Sequence, residues 1–339
     1  MTTTSKTRSP APIPAAQPAA GAAPVIAVRG LRKRYADLEA VRGIDLEVHR
    51  GEIFAFLGPN GAGKTTVVEI LEGFRERTEG DVTVLGADPA RAGGRWRDRV
   101  GIVLQESSPE AGLTVRECLD LYAGYYRAPR PIDETIALVG LTGKADTPGE
   151  ALSGGQRRRL DVALALVGDP ELIFLDEPTT GFDPSARRTA WDVVAGLRDL
   201  GKTVFLTTHY MDEAERLADR IAVIVAGEIV ACGTAANLGG RDHMAARIRF
   251  TPPAGAGPLP AALAPLAATG ADGAVTVASE APLAHVGTLA DWACRGGFDL
   301  PDLDVRRPTL EDVFLELVGP PGPDDLDGRG FVRPREVAE

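Results

Sequence analysis

Two short stretches carry the side chains best suited to chemistry. Gly58-Pro59-Asn60-Gly61-Ala62-Gly63-Lys64-Thr65 has the spacing GxxxxGK[ST]. Its three glycines let the backbone turn so that several N–H groups point inward at phosphate oxygens. Lys64 supplies a point charge for the β- and γ-phosphates, and the Thr65 hydroxyl is a ligand for Mg²⁺. A helix from Thr66 to Phe74 adds the positive potential of its N-terminus. The second stretch, Leu172-Ile173-Phe174-Leu175-Asp176-Glu177-Pro178, is four apolar residues ending in two acids. A continuous apolar run fits a strand buried on both faces, and acids at its C-terminal end face the crevice where parallel sheets bind ligands. Asp176 fits there as a partner of Mg²⁺, often through water. Glu177 fits as the group that orients or deprotonates an attacking water. Between the two lies Leu152-Ser153-Gly154-Gly155-Gln156. Ser153 can cap the helix expected over Leu160–Leu166. Gly154 and Gly155 cost backbone entropy and add no packing, so capping does not explain them. Flexible amides and a hydroxyl at a helix N-terminus make a second anion cradle.

These residues need a frame, and the chain alternates in the way that supplies one. Strand signals fall at Val25–Val28, Ile44–Val48, Ile53–Leu57, Val82–Leu85, Gly101–Leu104, Leu172–Leu175, Thr203–Thr207 and Ile221–Val225. Helices are expected over much of 106–150 and at Ser185–Leu200 and Met211–Ala218, with a capping box at Thr114 and Glu117. Such alternation implies a parallel sheet covered by helices. The pattern weakens after about 240, and residues 251–300, rich in Ala, Gly and Pro, give no clear assignment. Thr309 is expected to cap a helix whose stripe of Leu310, Val313, Phe314 and Leu317 is sufficient for the core of a small domain.

Composition excludes several classes. The 339 residues hold 39 Gly and 26 Pro, roughly a fifth of the chain, below the ~25–30% of low-complexity sequences. Disorder is therefore expected only locally, in the Pro-interrupted arm 1–24 and the tail 321–339. A net charge of −11 argues against broad binding of nucleic acid. The run Arg157-Arg158-Arg159 accordingly reads as a solvated helix face near phosphates. No stretch of ~18 apolar residues is present to span a bilayer. Cys118, Cys232 and Cys294 form no CxxC pair, so buried thiols are expected rather than a zinc site or disulfide framework.

With Leu152–Gln156 between a phosphate loop and an acid-tipped strand, the chain resembles the ATP-binding subunit of an ABC (ATP-binding cassette) transporter. The resemblance spans about 25–235, with every element in the family's order. It implies an α/β P-loop NTPase of ABC type: a mainly parallel core sheet, an antiparallel β region, a helical subdomain over about 106–160 and a small α+β C-terminal domain. The implied divisions are 1–24, 25–240, 241–320 and 321–339. Ser153 and Gly155 are then expected to reach the γ-phosphate of ATP held by a second copy, in a head-to-tail homodimer that sandwiches two nucleotides. Tyr35 matches the aromatic that stacks on adenine, and Gln105 the glutamine that senses Mg²⁺ and faces the membrane subunit. Gly181-Phe182-Asp183-Pro184 matches the D-loop, with Phe182 where Leu is usual, and His209 matches the switch histidine.

The implied nucleotide-binding set is Tyr35, Gly58, Pro59, Asn60, Gly61, Ala62, Gly63, Lys64, Thr65, Thr66, Ser153, Gly154, Gly155, Gln156 and Asp183. The catalytic set is Lys64, Gln105, Glu177 and His209; the metal set is Thr65, Gln105 and Asp176. Both Arg307–Val318 and Thr207–Glu215 resemble drug-exporter ATPases of the type-2 ABC class, of the daunorubicin-resistance kind. That implies ATP and Mg²⁺ as cofactors, a separately encoded transmembrane partner, no nucleic-acid partner, and a peripheral place on the cytoplasmic face of the membrane. The competing reading is a non-transport ABC ATPase acting on ribosomes or DNA. It is disfavoured by a single set of motifs and the lack of long coiled coils or zinc hooks.

Overall fold

The computed structural model describes residues 23–104 and 112–318. Chain order begins with β1 (Ile26–Tyr35), β2 (Leu38–Val48), β3 (Ile53–Leu57), α1 (Lys64–Leu71), β4 (Glu79–Val84), α2 (Gly94–Arg97) and β5 (Val100–Val103). It continues through α3 (Val115–Ala123), α4 (Ile132–Leu138), α5 (Gly154–Leu166), β6 (Leu172–Asp176), α6 (Pro184–Asp199), β7 (Thr203–Thr208) and α7 (Met211–Leu217). Next come β8 (Arg220–Val225), β9 (Glu228–Gly233), β10 (Ala246–Phe250), β11 (Ala267–Thr269) and β12 (Val275–Ser279). The last are α8 (Pro282–Gly296), β13 (Asp304–Arg306) and α9 (Leu310–Val318).

A six-stranded sheet runs β5-β6-β7-β3-β8-β9. Its first five strands are parallel, and β9 returns antiparallel to β8. Because side chains alternate across a strand, β6 sends Leu172 and Phe174 to one face and Ile173 and Leu175 to the other. On the first face Phe54, Phe56 and Phe174 surround Phe205, with ring centroids 5.6–5.7 Å apart. This layer packs against α1 and an antiparallel sheet in the order β2-β1-β4. On the second face α3, α4, α5 and α6 bury Cys118, Leu119, Ile136, Leu160, Leu166 and Val194. The capping box expected at α3 is present: Glu117 N–H donates to Thr114 Oγ1 at 3.3 Å, and Thr114 N–H donates to the Glu117 carboxylate at 2.8 Å.

Three features depart from the sequence reading. β1 and β2 are longer than their apolar cores, because charged residues on the outer face pair across the strands, Arg29 with Glu47 and Arg32 with Glu39. β9 was not anticipated; Ala226 and Gly227, both at positive φ, close a two-residue turn after β8. Residues 246–306 hold a separate four-stranded antiparallel sheet, β11-β12-β10-β13, covered by α8. The stripe of α9 does not fill that small core. Leu310 and Phe314 pack instead with Leu57, Ala214, Ile221 and Leu238, so α9 returns to the main sheet. Of the cysteines, Cys118 is buried, Cys232 half-buried and Cys294 exposed, so only the first sits as expected. Among the described residues no helix is long and apolar enough to cross a membrane.

Candidate nucleotide site

The parallel strands β3, β6 and β7 end side by side, with Leu57 opposite Thr208 and Asp176 opposite Thr207. Their loops therefore deliver Gly58–Lys64, Glu177 and His209 to one place. The phosphate loop is backed closely by other chain segments. A Cβ at Gly58 would lie 2.4 Å from the Ile224 carbonyl oxygen, so nothing larger than glycine fits. At Gly63 φ is +104°, and a Cβ would meet the Ala40 carbonyl at 2.7 Å. The Ala226-Gly227 turn completes the support, with Gly227 N–H donating to the Ala62 carbonyl at 3.0 Å. Gly63 then stands as the N-cap of α1.

Lys64 is buried, 6% exposed. Its ammonium donates to the carbonyls of Gly58 at 2.8 Å and Pro59 at 3.3 Å, and lies 3.5 Å from Glu177 Oε1. Burial holds its pKa below the usual lysine value, against the opposing pull of Glu177 and Asp176. Burial raises the Glu177 carboxyl, but Lys64 and the His209 ring outweigh it and keep the pKa below the ordinary carboxylate value. His209 Nδ1 sits 3.1 Å from Glu177 Oε2, within ion-pair range but out of line for a hydrogen bond. Thr180 donates its hydroxyl to Glu177 Oε2 at 3.1 Å.

The backbone at Glu177 is unusual: φ is +45° in a residue with a full side chain. Such left-handed positions cost on the order of 1–3 kcal/mol and persist only where the surroundings fix them. Glu177 N–H is held by Thr207, donating to its Oγ1 at 3.0 Å and to its carbonyl at 3.2 Å. The Thr207 hydroxyl donates in turn to Asp176 Oδ1 at 2.5 Å. Thr207 thus orients both acids, a role its position in an apolar strand did not reveal.

The other predicted residues fall elsewhere around this core. Thr65 is exposed on the first turn of α1, and Tyr35 Oη lies 3.4 Å from Thr66 Oγ1. Cationic groups of Lys33 and Arg75 stand 5.0 and 5.2 Å from the Tyr35 ring centre. Ser153 caps α5: Gln156 N–H donates to Ser153 Oγ at 3.3 Å, and Ser153 N–H donates to Gln156 Oε1 at 2.9 Å. Ser153, Gly154, Gly155 and Gln156 line an open cavity of about 310 Å³ together with Gly181, Phe182 and Asp183. No residue of the phosphate loop lines it. Asp183 caps α6, accepting from Ser185 and Ala186 N–H at 2.8 and 2.9 Å. Gln105 lies outside the described residues.

Of the arginine run only Arg157 is on a solvated face. Arg158 is buried on α5 and Arg159 donates to the carbonyls of Val139 and Gly140 at 3.2 and 2.9 Å. Arg158 shares a helical face with Val162 and Leu166, a 3.6-residue period that would have placed it inward. Glu213 on α7 is also buried; its Oε1 accepts from Thr179 at 2.8 Å and from Trp191 Nε1 at 3.0 Å. Nothing in the sequence singled it out.

Comparison with known proteins identifies the family and the fold. The model of the ABC transporter family matches residues 41–180, and a C-terminal domain model of ABC transporter domain-containing proteins matches 246–309. The chain is 40% identical over 311 residues to a daunorubicin resistance ATP-binding protein of Streptomyces coeruleorubidus, covering 87% of this chain and 96% of that one. It is 42% identical to a Nod factor export ATP-binding protein of Ralstonia nicotianae, covering 64% of this chain and 69% of that one. Among solved structures, a dimeric ATP-binding cassette bound to ADP and Pi in a post-hydrolysis state is similar, with TM-score 0.55 and 25% identity over 62% of this chain and 98% of that one. The protein cbiO1 of Clostridium perfringens, part of the ABC transporter complex cbiONQ, gives TM-score 0.57 and 28% identity over 63% and 89% of the two chains. With a phosphate loop, paired acids and a signature helix on a mostly parallel sheet, the chain belongs to the ABC transporter family, as an ATP-hydrolysing cassette subunit.

Proposed function

We propose that the chain is the motor of an exporter of drug-like or other amphiphilic molecules, acting through a separately encoded membrane subunit of the type-2 ABC class. One observation carries this reading: the likeness to a daunorubicin resistance ATP-binding protein runs through the C-terminal region as well as the cassette, over 87% of the chain. An open groove of about 460 Å³ between α2, β5 and α3 supports a protein partner. Phe74, Trp96, Tyr122 and Tyr126 line it, and Phe74 is 69% exposed. An exposed aromatic at the rim of such a groove is typical of interaction surfaces. The working place is the cytoplasmic face of the membrane, reached through that partner.

In the proposed reaction two copies of the chain meet head to tail over two ATP molecules. Lys64 and the amides of Gly58–Gly63 bind the phosphates, Tyr35 stacks on the adenine, and Glu177 orients the attacking water while His209 meets the γ-phosphate. Ser153 and Gly155 of the second copy complete the anion site. The oxygen donors of Thr65 and Asp176 fit Mg²⁺, which binds through one or two protein oxygens plus substrate phosphates. Among the described residues no cluster of three His, Cys, Asp or Glu exists to form an all-protein cage, consistent with that mode. Bound there, Mg²⁺ would neutralise charge on the β- and γ-oxygens. These side chains do the rest by positioning and electrostatics.

The test is purification of the tagged chain from detergent-solubilised membranes. Stoichiometric recovery of an integral membrane protein of the type-2 class is expected. Sedimentation with ribosomes and none with membranes would overturn the reading.

A further inference from the structure

We infer that Arg158 is a positioning residue for hydrolysis, holding Glu177 in its left-handed backbone conformation by binding the carbonyls on either side of it. The geometry is specific. Arg158 Nη2 donates to the Asp176 carbonyl at 2.7 Å and Nε to the Pro178 carbonyl at 3.2 Å. Nη1 donates to the carbonyl of Leu104, the residue that follows β5. One guanidinium from α5 therefore joins three backbone oxygens, and two of them flank the residue whose φ is +45°. Only a planar fork with several donors can do this; an ammonium cannot span the three.

Thr207 holds the Glu177 N–H from the other side, at 3.0 Å. The peptide plane before Glu177 is thus gripped by two elements, α5 at its carbonyl and β7 at its N–H, while α5 also holds the carbonyl of Pro178. Left-handed geometry in a non-glycine residue survives only under such over-determination. Release on the α5 side lets φ relax to the ordinary negative region and carries the carboxylate away from Lys64 and His209. The grip also ties Glu177 to the helix whose first turn presents Ser153 and Gly155. Arg158 touches neither nucleotide nor water in this account; it acts through Glu177.

The inference rests on Glu177 being the residue that orients water, and the experiment separates the two. ATP hydrolysis by the full-length chain is measured for Arg158→Lys, Glu177→Gln and the double variant, with thermal melting of each. Arg158→Lys is expected to lower kcat about 10–100-fold, the scale of a ~1 Å misplacement, with KM within about twofold. In the Glu177→Gln background it should lower the residual rate no further, since both changes act on one group. A kcat for Arg158→Lys within twofold of wild type overturns the inference. So does a full multiplicative loss in the double variant. Should Arg158→Lys fail to melt cooperatively, Arg158→Gln is measured in the same way; if neither folds, the residue is purely structural and the inference is wrong. Wild-type turnover in Glu177→Gln instead removes the role of Glu177 itself, whatever Arg158 does.

Discussion

Around Lys64 the charged groups meet within one chain. Its ammonium lies 3.5 Å from Glu177, and Glu177 lies 3.1 Å from His209. Around Ser153 the arrangement is the reverse: the serine and Gln156 satisfy each other across the helix start, and a Cβ added at Gly154 would meet nothing within 4 Å. The first region is a buried constellation already bound to itself. The second is an open surface whose polar groups are satisfied locally and whose glycines leave room for something from outside. In the proposed dimer, the difference marks the side at which the second copy would enter. There the buried pocket supplies the acid and the cation, whereas the self-capped, glycine-rich helix start is the face that the phosphate of another copy would meet.

The largest effect should come from removing the carboxylate at the centre of the buried half. Glu177→Gln is expected to reduce hydrolysis by ~10²–10³ or more while ATP stays bound, trapping a dimer. Rapid-quench hydrolysis and size-exclusion with labelled ATP measure both. Turnover at the wild-type rate would remove Glu177 from the comparison. Because Lys64 and His209 outweigh burial and hold this carboxyl below its ordinary pKa, Glu177 stays ionised across the neutral and mildly acidic range. Activity should not be lost through its protonation until the pH falls below the normal carboxylate range.

Lys64→Ala comes next. It removes a charge-assisted contact to phosphate, so nucleotide affinity itself should fall about 10–100-fold, read by fluorescent-ATP titration. Unchanged affinity would show that the loop backbone alone binds the phosphates. Ser153→Ala tests the open half. ATP binding by the monomer should stay within about twofold, while dimer formation and hydrolysis fall roughly tenfold. The lost cap also costs about 0.5–2 kcal/mol of stability. Equal losses in monomer binding and in dimerisation would mean that the two regions serve the same nucleotide within one chain.

Most of the buried half was legible in the sequence because its logic is local: glycines before a lysine, and two acids after four apolar residues, each at a strand end. What escaped depends on three-dimensional neighbours. Arg158 looked like part of a solvated basic run, yet α5 turns it inward onto carbonyls at and just past the end of β6, about twenty residues along the chain. Thr207 reads as one more strand residue until the register sets it opposite Asp176. The hydrophobic stripe of α9 was plain, but its destination was not, since periodicity reveals a buried face and never the surface it covers. Residues 246–306 stayed opaque for a different reason: their strands are three to five residues long, too short for alternation to register among Ala, Gly and Pro.

The last effect, one on stability and not on turnover and the one that bears on why the two halves differ, concerns Glu72. It closes α1, the helix that starts with Lys64, is 6% exposed, and leaves Oε1 without a hydrogen-bond partner among the described residues. Burial, with Asp176 and Glu69 adding like charge, pushes its pKa up to about 8. No comparable buried acid lines the signature cavity, where Asp183 is exposed. The folded chain keeps this proton up to about pH 8, whereas the unfolded chain releases it near the ordinary value of 4.5. Between those values the native state binds more protons, so stability falls as pH rises through the interval, by on the order of 3–5 kcal/mol in all. Glu72→Gln keeps a neutral side chain at every pH and should escape this loss. Its melting temperature should match wild type near pH 4.5 and exceed it by about 5 °C at pH 8.5. A constant difference across that range would mean that Glu72 titrates normally. Glu72 would then be ionised at neutral pH, a third buried charge beside Lys64 and Glu177 on the phosphate-loop side.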